Sequence, residues 1–153
     1  MPDEAVREVL LANDAFYAAF SAADLKLMDT LWAREHTVTC THPGRAVLET
    51  REAVMASWHL IFRSGQRLRA AADGASVCLS GAMAVVTCYE RLRNARGEQL
   101  GVLAATNVFV REGEDWKLVH HHASGLATED DDDDDDDGDA DDGDGDVRDE
   151  KPN

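Results

Sequence analysis

Beyond Gly65 nothing in the chain reads as a helix. Four strand-length runs follow, at about 67–79, 82–93, 99–111 and 115–124, and all the helical periodicity lies before them. Turn chemistry, "NARG" and then "REGED", separates the last three. Helices first and an antiparallel meander afterwards is the α+β pattern. The expectation is a curved sheet wrapped around three N-terminal helices, with a conical space between the two layers.

The helices have separate signatures. "DEAVREVLLANDAFYAAFSA" places Val6, Val9, Leu10, Phe16 and Phe20 on one face. "AADLKLMDTLWA" makes a shorter second helix, apolar at Leu25, Met28, Leu31 and Trp32. "HTVTCTHPG" is β-branched and then turns at Pro43-Gly44, which predicts a first strand. "TREAVMASWHLIFRSG" reads as a third helix, with Thr50 as N-cap and Gly65 at its end.

Charge divides the chain in two. The 153 residues carry a formal net charge of −16, and sixteen Asp and Glu against Arg148 and Lys151 fall within residues 129–153. The body is therefore near neutral. Residues 1–128 are expected to form one domain, and 129–153 a disordered acidic tail. Asp133, Asp135, Asp137, Gly138 and Asp144 match the spacing of a calcium loop, but an aspartate-rich tract yields that match by composition alone. No basic patch is evident, so nucleic acid is not an expected partner. The acidity would repel anionic membranes, and no run approaches the ~18 apolar residues of a spanning helix. The first residues lack the apolar run of a secretory signal. Cys40, Cys78 and Cys88 contain no CxxC pair, and read as reduced thiols in a cytoplasmic protein rather than zinc ligands.

"WKLVHHHASG" holds three consecutive histidines. Strand side chains alternate faces, so His120 and His122 are expected to share a face with Trp116 and Leu118, with His121 on the other beside Lys117 and Val119. The three cannot converge on one metal. His42 and Glu90 are the nearby candidates for further ligands, without diagnostic spacing, so neither metal nor cofactor is expected.

The order "SAADLKLMDTLWA", "VTCTHPG", "SWHLIF" and "ATNVFVREGEDWKLVHHHASG" resembles the SnoaL-like branch of the nuclear transport factor 2-like superfamily. It is also similar to the association domain of calcium/calmodulin-dependent protein kinase II. The resemblance covers about residues 4–127 and implies a cone-shaped α+β barrel, usually a homodimer, with a pocket inside the cone. A homodimer would cover the outer face of the sheet, expected to include Val86, Val108, Val110 and His121. Ketosteroid isomerases of the superfamily use a strand aspartate as base, with a helix tyrosine and a late-strand acid as oxyanion donors. Carried onto this chain, those positions fall on Cys40, Phe16 (Tyr17 being one residue on) and Asn107, so all three depart. In the kinase association domain two strand arginines line the pocket. Arg91 matches the first, and Asn107 stands at the second. The resemblance thus implies a pocket walled by Phe16, Trp32, Cys40, Trp58 and Tyr89, with Arg91, Asn107, His120 and His122 as polar groups. Those polar groups either orient a small ligand or bond one another and buried water. The expected function is binding of a small organic molecule in a homodimer, extending to isomerase- or cyclase-like catalysis. The alternative is a non-catalytic homo-oligomerisation module.

Overall fold

A computed structural model describes residues 2–127. The acidic tail and its calcium-loop match lie outside the described residues. Helix α1 spans Pro2–Ala22, α2 Leu25–Leu31 and α3 Arg51–Arg63. The strands are β1 Thr39–Thr41, β2 Arg69–Ser80, β3 Met83–Arg93, β4 Gln99–Glu112 and β5 Asp115–Gly125. One sheet holds them in the order β1-β5-β4-β3-β2. Its pairings are antiparallel except for β1, which runs parallel to β5, with Cys40 opposite His121. The sheet is curved and does not close, since β1 and β2 are its two edges.

The local reasons are those the sequence offers. Asp24 Oδ1 accepts from the Leu27 N–H and Thr50 Oγ1 from the Ala53 N–H, each satisfying a donor the first helical turn leaves open. Gly113 takes φ +64° in the tight β4–β5 turn, where a side chain would be strained. On α1 the buried set Val9, Asn13, Phe16, Tyr17 and the half-buried Phe20 falls at helical spacing against the sheet. Ser21 fixes the helix to β2: its Oγ donates to the Ala70 carbonyl and accepts from the Ala70 N–H, both at 3.0 Å. Arg51 joins α3 to the end of α2, pairing with Asp29 at 2.8 Å and donating to the Ala33 carbonyl.

Two departures from the expected facing decide which side chains enter the cone. On β5, Phe109 pairs with Leu118 but Val108 pairs with His120, so Val119 has no opposite number. This bulge resets the alternation. Trp116 and Leu118 are buried before it, and His121 and Ala123 after it. His122 is therefore exposed and His120 half-buried, the reverse of their expected orientation. On β3 the register pairs Asn107 with Val86 and Ala105 with Cys88. Partners in an antiparallel pair share a face, so the inward residues are Val86, Cys88 and Glu90. Tyr89 and Arg91, expected inside, face outward, and Val86 and His121, expected on the outer face, are inside. Val108 is half-buried between the buried Asn107 and Phe109, whereas Val110, also expected on the outer face, is buried.

Candidate functional site

An apolar cavity of about 170 Å³ lies between the helices and the sheet. Phe16 and Phe20 come from α1, Trp58 and Ile61 from α3, and Leu68, Leu92 and Leu103 from the sheet side. Tyr17, His42, Glu90 and His121 are its polar lining. Of the residues expected to form the pocket, Phe16 and Trp58 line it. Trp32 and Cys40 are fully buried in the core beside it. Tyr89 is 49 % exposed, and Arg91 pairs outside with Asp73 at 2.8 Å. His120 bonds Thr39 Oγ1 at 2.7 Å, away from the cavity lining.

Behind the cavity wall is a continuous polar network. The Asn107 amide nitrogen donates to Asn13 Oδ1 at 2.8 Å and to the Tyr17 hydroxyl oxygen at 3.1 Å. Tyr17 in turn donates to Glu90 Oε1 at 2.9 Å, and its oxygen lies 3.4 Å from Cys88 Sγ. With its nitrogen engaged by these acceptors, Asn107 turns its Oδ1 toward His121 Nδ1, 2.5 Å away. An amide oxygen only accepts, so His121 carries its proton on Nδ1. The lone pair on Nε2 then faces Glu90 Oε1 at 3.6 Å, beyond hydrogen-bond reach.

That geometry sets the electrostatics. Glu90 is 6 % exposed, and burial pushes its carboxyl up to about 7 despite the opposing Tyr17 hydrogen bond. His121 is 3 % exposed, and burial, followed by the nearby imidazoles His42, His120 and His122, pushes it down to about 3. Burial and then the Glu90 charge hold Tyr17 well above its ordinary value. At neutral pH the site therefore contains a neutral imidazole and a carboxyl poised between its two protonation states. Placing a group near its working pH is what proton transfer needs.

His42 occupies the cavity's outer wall. Ser57 donates its hydroxyl proton to the Val54 carbonyl at 2.6 Å, so the 2.9 Å contact between Ser57 Oγ and His42 Nε2 has the imidazole as donor. Burial and then Arg45 lower the His42 pKa. Cys40 Sγ lies 3.7 Å from the same nitrogen. Burial pushes that thiol up to about 12, which keeps it protonated and unlike a reactive cysteine. Trp58 Nε1 is buried without a hydrogen-bond partner among the described residues. A buried orphan donor is costly. Among the described residues no three His, Cys, Asp or Glu side chains are grouped to hold a metal.

Sequence reasoning passes over Tyr17, Glu90 and His121 as one site. A signal for Glu90 is present. Ala84, Val86 and Cys88 alternate as an apolar face of β3, and Glu90 is the next residue on it. A carboxylate continuing an apolar strand face has to be neutral or paired. Asn13 likewise interrupts the apolar stripe of α1. His121 cannot be read in the same way, because the bulge leaves no mark in "LVHHHA".

The comparisons agree with the fold. The SnoaL-like domain family model matches residues 9–129. The chain belongs to the SnoaL-like family. Its fold superposes on the crystal structure of "a putative dehydratase from the NTF2-like family" of Streptomyces avermitilis with a TM-score of 0.78 and 34% identity, covering 84% of this chain and all of the other. A "putative calcium/calmodulin-dependent protein kinase type II association domain" from Thiobacillus denitrificans is 38% identical, with a TM-score of 0.65 over 76% of this chain and 93% of that one. The F-box protein SKIP8 of Arabidopsis thaliana is 28% identical over 124 residues, 81% of this chain. The chain spans about half the length, 52%, of that curated relative.

Proposed function

We propose that this SnoaL-like domain binds a small, mostly apolar organic molecule in the cavity and moves a proton on it, with Glu90 as the proton acceptor or donor. One observation carries this reading: a carboxyl buried against apolar walls, held near neutrality and accepting a hydrogen bond from Tyr17. Tyr17 positions Glu90 through its hydrogen bond, and His121 lies beside it as a neutral imidazole. The space is below the roughly 300–1,000 Å³ of common ligand pockets, so the ligand is small, with a single ring as the natural size. Elimination of water beside a carbonyl and allylic isomerisation both need such a group, and the dehydratase description of the Streptomyces structure supports that class. Free thiols at Cys40, Cys78 and Cys88 favour a reducing, cytoplasmic setting, and no helix among the described residues is long and apolar enough to cross a membrane.

Solvent deuterium exchange tests the reading without a known substrate. Small cyclic ketones and enones are incubated with the protein in D2O and examined by NMR. Wild type should exchange the carbon-bound proton beside the carbonyl of those it binds, and Glu90→Gln should not. Binding without exchange by wild type would refute the catalytic part.

A second reading has its own support. The outer face of the sheet has a hollow of about 300 Å³ lined by Gly74, Thr87, Tyr89, Ala104, Thr106, His122 and Ser124, mostly small side chains that let another surface approach. Together with the likeness to an association domain, it favours self-association through this face. Sedimentation at micromolar concentration should give a dimer or larger ring, and replacing Ala104 with Arg should return a monomer.

A further inference from the structure

Four arginines that the sequence scatters over thirty residues meet at one end of the sheet. Arg69 stands directly opposite Arg93 in the β2–β3 pairing. Arg67 and Arg96 line one hollow of about 290 Å³ with Gln66, Leu68 and Asn94. All four are exposed. Like charges directly opposite in an antiparallel pair repel; Arg67 and Arg93 donate to the Ala22 and Gly97 carbonyls, and the rim as a whole favours an anion. Among the described residues none supplies it: none of the four is in an ion pair, whereas Arg34, Arg51, Arg91 and Arg111 each have a carboxylate. The acids in the adjoining turns are engaged elsewhere. Asp24 caps α2, and Glu98 accepts from the Asn94 amide.

The end of β5 lies on the same side. β2 begins, β3 ends, β4 begins and β5 ends there, and Gly125 pairs with Leu103, which pairs with Glu90. Arg93 is three residues along β3 from Glu90 and two strands from β5. With strands about 4.8 Å apart and a rise of about 3.4 Å per residue, the rim lies roughly 15–20 Å from Gly125. Residues 126–137 in extended form span about 40 Å, and they include Glu129 and all eight consecutive aspartates.

We propose that the acidic segment Glu129–Asp137 docks, within its own chain, on the rim formed by Arg67, Arg69, Arg93 and Arg96. Tethering supports the intrachain choice, because a short linker gives the tail an effective concentration in the millimolar range. Leu68 and Leu92, neighbours of three of these arginines, line the cavity.

Paramagnetic relaxation in the full chain tests this. A nitroxide is attached at Ala140→Cys in a Cys78→Ser background, since Cys40 and Cys88 are buried. At about 20 mM salt, where screening is weak, amides of residues 66–69 and 93–97 should broaden severalfold more than those around the β4–β5 turn. The effect should vanish at about 0.5 M salt, and in the variant R67Q/R69Q/R93Q/R96Q. Even broadening, broadening of another face, or broadening that persists in high salt would overturn the proposal. So would equal broadening in a mixture of spin-labelled and separately isotope-labelled chains, which would put the tail on a second copy. If the fourfold variant does not fold, the salt dependence of the parent decides.

Discussion

Glu90 and Arg91 are neighbours on β3, and the sheet treats their charges in opposite ways. Glu90 faces the cavity, where burial favours its neutral form and its one strong partner is a phenol. Arg91 faces outward at 43% side-chain exposure, paired with Asp73 in water. A third residue, Glu112, sharpens the contrast. It accepts from the Arg34 and Glu35 backbone N–H groups and from His36, and is held below the usual carboxylate range despite partial desolvation. Hydrogen-bond donors aimed at a charge stabilise it, and apolar walls expel it. The inner face thus makes a chemically poised group, and the outer face makes a solvated one.

The largest break in this contrast should come from Asn107. Replacing it with Leu leaves the His121 N–H without its acceptor and removes a donor from Tyr17 and Asn13. The expected loss is about 2–5 kcal/mol in urea unfolding, since each orphaned buried group costs about 1–3 kcal/mol. A loss below about 1 kcal/mol would show that water replaces the amide.

Next is the pH dependence of stability. Glu90 rises from an ordinary value of 4.5 to about 7 on folding, so the unfolded chain releases that proton first. The folded state is favoured below pH 4.5 and loses this advantage as pH rises toward 7. His121 does the reverse: falling from 6.5 to about 3, it contributes stability above pH 6.5 that is lost as pH drops. Glu90→Gln removes the first effect alone. Its stability relative to wild type should grow by about 3 kcal/mol between pH 4.5 and pH 8, because each tenfold change in proton affinity is worth roughly 1.4 kcal/mol. Unfolding curves at the two pH values with parallel offsets would contradict it.

The outer face should respond weakly. Arg91→Leu removes one exposed ion pair and is expected to change stability by less than about 1 kcal/mol. Ligand binding in the cavity should be unaffected, as measured by calorimetry with any compound the wild type retains. Smallest of all is removal of residues 129–153, which should leave one cooperative thermal transition within a few degrees of the parent. Broad, uncooperative melting would show that the segment belongs to the fold.

The architecture is legible in the sequence because it rests on long periodic segments. The three helices, the cap at Thr50 and the late meander all stand where period and turn chemistry put them. The site is legible only in part. Phe16 and Trp58 line the cavity, whereas His120, His122, Tyr89 and Arg91 belong to the opposite face from the one expected. Alternation holds from Trp116 to Leu118, and a bulged Val119 then shifts it by one. The expected place of Arg91 rests on likeness to another protein's strand, and the Asn107–Val86 register overrules that likeness. Backbone irregularities that move every later side chain across a sheet have no residue signature when the sequence around them is three identical letters. The arginine rim is hidden for a different reason: it joins segments distant in sequence.

The bulge at Val119 makes "HHH" a kind of vernier. Val119 is one residue more than the ladder needs, so deleting it would straighten β5 and still leave Leu118, His121 and Ala123 on the inner face. Ironing out the bulge with Val119 kept does the opposite. It would bring His120 and His122 under the helices and send His121 to the surface. The interior would then hold two imidazoles in place of one, and Asn107 would lose the neighbour its oxygen now accepts from. Two chains of identical composition would thus differ in their internal proton inventory by the phase of one strand alone. On such a sheet, chemistry can diverge before any side chain at the site is substituted.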